Sequence, residues 1–95
     1  MFYEPTCKST TAELSPWRKG LLRAADYIDQ HGWCQHAGTI NGHVCVRMAM
    51  RMVGCQEVAF GVMNEVVGGS IIEWNDAVGR TKEEVVAALR GAANS

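Results

Sequence analysis

Apolar side chains recur at three- and four-residue intervals along most of this chain, the signature of helices that bury one face. The clearest stretch begins at Ser15-Pro16, where serine stands as an N-cap and proline takes the first helical position, at which its missing N–H costs nothing. Trp17, Leu21, Ala24, Ala25 and Ile28 then build one face, while Arg18, Lys19, Arg23, Asp26 and Asp29 fall mostly on the other. Gly32 is a natural stop after His31. Gly20, inside this helix, costs about 1 kcal/mol relative to alanine and so implies a close neighbour.

From Gly32 to His43 the chain is punctuated by glycines, and Asn41-Gly42 is a favoured turn pair. Two readings stay open here. One is a short hairpin with Thr39-Ile40 facing Val44-Cys45-Val46; the other is a helix that already starts at Val44. Cys45, Met48, Ala49, Met52 and Val53 have helical spacing, with Arg47 and Arg51 one turn apart on the other side and Gly54 closing the run. A further helix spans Gln56 to Val67, with Val58, Ala59, Val62, Met63, Val66 and Val67 forming a wide apolar stripe. Ser70…Glu73 and Thr81…Glu84 then have the spacing of capping boxes, which open a short helix through Trp74 and a terminal helix carrying Val85, Val86, Leu89, Ala92 and Ala93. The expected fold is all-α. A compact domain over 13–95 holds four to five short helices, with a small hairpin near residues 39–46 as an optional element, and follows an extended N-terminal arm over 1–12.

Composition narrows the class without naming a function. Ninety-five residues with 47% apolar and 20% charged content suit one small globular domain rather than a disordered chain. The net charge of −1 argues against general nucleic-acid binding, which usually shows a basic excess. No apolar run approaches the ~20 residues that span a bilayer, and the first residues lack a secretory pattern. A cytoplasmic protein without membrane insertion is therefore expected, with Cys7, Cys34, Cys45 and Cys55 reduced and used mainly as packing residues.

The densest polar chemistry is His31, Cys34, His36, His43 and Cys45, five ligands of the kind that zinc prefers within fifteen residues. Their spacing matches no familiar zinc finger, and histidines that cap a helix end or sit in a polar loop explain them as well. Cys45, at a helix start two residues after His43, is the nominal thiol nucleophile, though every histidine precedes it and its spacing puts it on an apolar face. Around Trp74-Asn75-Asp76, the asparagine and aspartate are expected to bond local backbone, and Arg80 to pair with Asp76 or another carboxylate. Trp33 and Trp74 are expected to share the core.

Two segments, Gly32-Trp33-Cys34-Gln35 and Trp74-Asn75-Asp76-Ala77-Val78-Gly79-Arg80-Thr81, together with Leu22–Ile28, resemble a family of small actinobacterial and actinophage proteins of unassigned function. The chain departs from that pattern at the middle helix, which reads Cys45-Val-Arg-Met-Ala-Met50 where relatives look more like Cys-x-x-Gly-Ala-Leu. The resemblance implies a phage or prophage accessory protein acting in a bacterial cytoplasm, with Trp33, Gln35, Trp74, Asn75, Asp76 and Arg80 as its motif residues. Such residues, with no nucleophile or base among them, suit a structural nucleus or a recognition surface. The leading expectation is thus a non-enzymatic module, with no cofactor, that binds a host protein; spare apolar surface would be buried in that partner or in a homodimer. The alternative is a small zinc- or thiol-dependent enzyme centred on residues 31–45.

Overall fold

A computed structural model of the chain describes residues 15–94; the expected arm over 1–12, and Cys7 with it, lie outside the described residues. The described chain runs α1 (Pro16–His31), β1 (Thr39–Ile40), β2 (His43–Val44), α2 (Val46–Met52), α3 (Glu57–Val67), α4 (Ile71–Asn75) and α5 (Lys82–Ala93). The protein is mostly helical and compact, and both the helical layout and the small hairpin are as the spacing implies.

The centre of the fold is the pairing of α1 with α5, the most extensive contact between elements. Leu21, Ala24, Ala25 and Ile28 from α1 and Val85, Leu89, Ala92 and Ala93 from α5 are all fully buried. The alanines let the two helix axes approach closely, and the larger Leu and Ile side chains fill the space between. Val46, Ala49 and Met50 of α2 and Ala59 and Met63 of α3 complete the same cluster. Outside it, Arg90 reaches Asp26 at 3.2 Å and Lys82 reaches Asp29 at 3.7 Å, exposed pairs that orient α5 on α1 more than they stabilise it.

Gly20 does have its close neighbour. A methyl group there would stand 3.1 Å from Cys55 Sγ, so the missing side chain is what lets the α2–α3 connection lie on α1. The helix ends were less uniform than their sequences. Pro16 occupies the first turn of α1, but the Ser15 side chain makes no capping hydrogen bond. At Thr81 the full reciprocal box forms, with Glu84 N donating to Thr81 Oγ1 at 3.2 Å and Thr81 N to Glu84 Oε1 at 3.0 Å. At Ser70 the hydroxyl accepts from Glu73 N at 3.3 Å, which is one half of the box.

The hairpin and the helix reading of residues 44–46 are reconciled by a boundary. Asn41 and Gly42, with φ of 53° and 86°, make the two-residue turn, and Thr39 pairs with Val44 and Ile40 with His43. The strand then stops, and α2 begins at Val46. Its buried face is Val46, Ala49 and Met50, one position out of phase with the expected Cys45, Met48, Ala49 and Met52. Cys45 is pulled off that face because it is the N-cap, its Sγ accepting from Met48 N at 3.3 Å. Met52 is correspondingly turned outward and is 55% exposed.

Leu89 is buried on every side at the α1–α5 contact, so Leu89→Ala is expected to destabilise the fold by about 2–5 kcal/mol, measured by urea denaturation.

Candidate functional site

The motif residues lie far apart in sequence, and the fold brings them to one place at the C-terminal end of α4. Asn75 is at its centre. It is 1% exposed and, among the described residues, is the buried polar side chain of an otherwise apolar core. An amide in such a place is tolerated only when its hydrogen-bonding capacity is filled. Asn75 Oδ1 accepts from Trp33 Nε1 at 2.7 Å and from Val46 N at 3.0 Å. Asn75 Nδ2 donates to Cys34 O at 3.2 Å and to Asp76 Oδ1 at 3.0 Å. Both partners at the oxygen end are donors only, so the orientation of the amide is fixed by chemistry.

The neighbouring residues extend the same knot. Gln35 Nε2 donates to Asn75 O at 3.1 Å, a carbonyl at the end of α4, and to Ala77 O at 2.8 Å, which also accepts from Arg80 N. Asp76 Oδ1 also accepts from His36 N at 2.8 Å, holding His36 in the left-handed region at φ 65°. Arg80 Nε donates to Trp74 O at 3.0 Å, while its guanidinium lies 4.1 Å from the centroid of the Trp74 ring. Of the partners expected for Arg80, Asp76 is not taken and another carboxylate is: Arg80 faces Glu84, one turn into α5, at 3.6 Å, while Asp76 accepts from Asn75 and the His36 backbone. Nor do Asn75 and Asp76 confine themselves to local backbone, since both reach the 33–46 segment.

Trp33 and Trp74 flank this knot at the margin of the core, each half-buried, rather than sharing its interior. An indole N–H needs a partner once it leaves water, and Trp33 finds it in Asn75 at the core's polar edge. Gly32 has two reasons to be glycine. Its φ is +100°, and a Cβ there would stand 2.7 Å from the His43 ring.

The five candidate metal ligands are not convergent. His31 stacks on Tyr27 with ring centroids 4.3 Å apart, His43 lies over Gly32, and His36 projects into solvent beside Asp76 at 3.8 Å. Cys34 is buried with its Sγ directed at backbone carbonyls, 3.5 Å from Ala37 O and 3.6 Å from His43 O. Cys45 caps α2. No group of three or more His, Cys, Asp or Glu side chains among the described residues is placed to hold a metal ion. Burial pushes the Cys34 thiol above its ordinary value, with Cys45 adding to the effect, and burial raises Cys55 as well. Both are held as neutral thiols, the opposite of an activated nucleophile. Among the described residues Cys34, Cys45 and Cys55 are free.

A second feature escaped the motif. An open groove of about 570 Å³ runs between α2, α3 and α4, lined by Arg47, Arg51, Glu57, Phe60, Ser70 and Ile72 among others. A smaller recess of about 230 Å³ adjoins it, sharing Arg47 and Ile72 and ending at His36 and Asp76. The sequence carried one signal of it: Arg47 stands in the first turn of α2, where the helix dipole disfavours a cation.

The arrangement defines a small helical domain locked by a buried asparagine, with its polar motif residues spent on one another. The chain belongs to a family of unknown function (DUF6197), which matches residues 18–95. No curated protein and no solved structure matches it.

Replacing Asn75 with leucine strands Trp33 Nε1, Val46 N and Cys34 O together. Asn75→Leu is expected to cost about 3 kcal/mol or more, read by urea denaturation, with tryptophan emission shifted to the red as water reaches Trp33. The hydrogen bonds from His36 N and Asn75 hold the Asp76 carboxyl below the ordinary value of ~3.9. A depressed carboxylate contributes stability that is present above the unfolded value and lost as pH falls through the folded one. The stability difference between the wild type and Asp76→Asn is therefore expected at neutral pH and to close below about pH 4, measured by denaturation at stepped pH.

Proposed function

We propose that this protein is a non-enzymatic binding module, a small phage or prophage accessory protein that acts by engaging a host cytoplasmic protein. The observation that carries the reading is the closed hydrogen-bonding of the motif. Trp33, Gln35, Asn75, Asp76 and Arg80 are all engaged within the fold, and they hold a surface in place rather than offering a nucleophile or base to a substrate. What the protein presents outward is a groove with arginines on its rim and apolar side chains, Ile72 among them at 49% exposure. Met52, Val58 and Val66 add further exposed apolar side chains on α2 and α3 that a partner could cover. No helix among the described residues is long and apolar enough to cross a membrane, in keeping with a partner met in solution. The likeness of the two motifs to those of actinobacterial and actinophage proteins supports the phage or prophage origin.

A tagged full-length chain incubated with actinobacterial lysate is expected to retain one host protein in near-stoichiometric amount, identified by mass spectrometry. Folded, monodisperse bait that retains none would overturn the reading.

A further inference from the structure

Two arginines stand one turn apart on the exposed side of α2, and the fold gives little reason for the first of them. Like charges at i and i+4 repel, and a cation in the first helical turn opposes the helix dipole. Arg51 sits in the last turn, where the dipole favours it, and Glu57 is similarly favoured in the first turn of α3. Arg47 has no such compensation. Among the described residues neither Arg47 nor Arg51 forms an ion pair or a side-chain hydrogen bond, as is also true of Lys19, while Arg80, Lys82 and Arg90 form ion pairs and Arg18 and Arg23 donate to backbone carbonyls. The nearest acidic neighbour in the adjoining recess, Asp76, is already bound by Asn75 and the His36 backbone.

Arg47 and Arg51 line the same groove, and the rest of its lining is mixed: Glu57, Asn64 and Ser70 are polar, while half-buried Phe60, half-exposed Ile72 and the Cys55 thiol, kept neutral by burial, are not. The groove thus sets two guanidiniums without an ion pair beside an apolar patch, with one carboxylate, Glu57, on the same lining. Guanidinium pairs with carboxylate in a planar two-bond geometry, and it sheds water more readily than ammonium does. A free small anion would satisfy the arginines but leave the apolar patch of Phe60 and Ile72 wet.

We infer that the groove between α2, α3 and α4 docks an acidic segment of a partner protein. That segment offers two carboxylates about one helical turn apart to Arg47 and Arg51, and an apolar side chain to Phe60 and Ile72. This rests on the binding-module reading and specifies where the partner sits and what it must carry.

The test is selection of random 16-residue peptides displayed on yeast against the full-length wild-type protein, followed by titration of enriched peptides on wild type and on the double variant Arg47→Glu, Arg51→Gln. Both positions are exposed, so the variant is expected to fold, checked by its circular dichroism and thermal midpoint. Enriched peptides are expected to show paired Asp or Glu with an apolar residue, to lose at least tenfold in affinity on the double variant, and to weaken with added salt. Ile72→Ala is expected to weaken the same peptides at unchanged salt dependence. Enrichment of basic or neutral peptides, equal binding to the double variant, or no enrichment overturns the inference. A host protein retained from lysate equally by wild type and double variant would leave the module reading standing and remove the groove from it. Failure of both the selection and the lysate capture would remove both.

Discussion

The structure turns on one buried amide. Asn75 satisfies four hydrogen bonds at once, and each joins α4 to something other than α4 except the bond to Asp76 beside it. Apolar packing alone would bring α2, α4 and the 33–38 loop together without deciding how they are turned. The amide decides it, because misregistering any of these segments leaves a donor or carbonyl in the core without a partner. The Gly-Trp-x-Gln and Trp-Asn-Asp motifs are thus two halves of one device, with Trp33 and Gln35 supplying donors and Asn75 and its own backbone receiving them.

Much of the fold was legible because helices are local. The α1 face, the capping box at Thr81 and the Asn41-Gly42 turn each follow from residues within a few positions of one another. The phase of α2 was not, since two patterns of equal hydrophobicity overlap there and the choice depends on Asn75 receiving Val46 N from twenty-nine residues away. The same distance hid the roles of Asn75 and Asp76. Their side chains can bond locally, and only the tertiary arrangement shows that both reach the 33–46 segment. Of the motif residues, nothing along the chain showed the geometry by which the fold gathers them around Asn75. The His/Cys segment shows the converse, since closeness along the chain did not become closeness of side chains once the hairpin spread them over different faces.

Separating what holds the domain together from what it displays clarifies the functional reading. The knot and the α1–α5 contact use the most distinctive residues inward. The groove uses ordinary ones, two arginines, a phenylalanine and an isoleucine, drawn from α2, α3 and α4.

The bond from Val46 N to Asn75 also has a topological consequence. It ties the first residue of α2 to the last residue of α4, so everything from 46 to 75 is an excursion that departs from and returns to a single point. Its inward side chains are committed to the core, but its outward ones, including Arg47, Arg51 and Ile72, hang on a frame whose ends are pinned regardless of what they are. A scaffold closed in this way permits the displayed surface to be rewritten without renegotiating the fold beneath it.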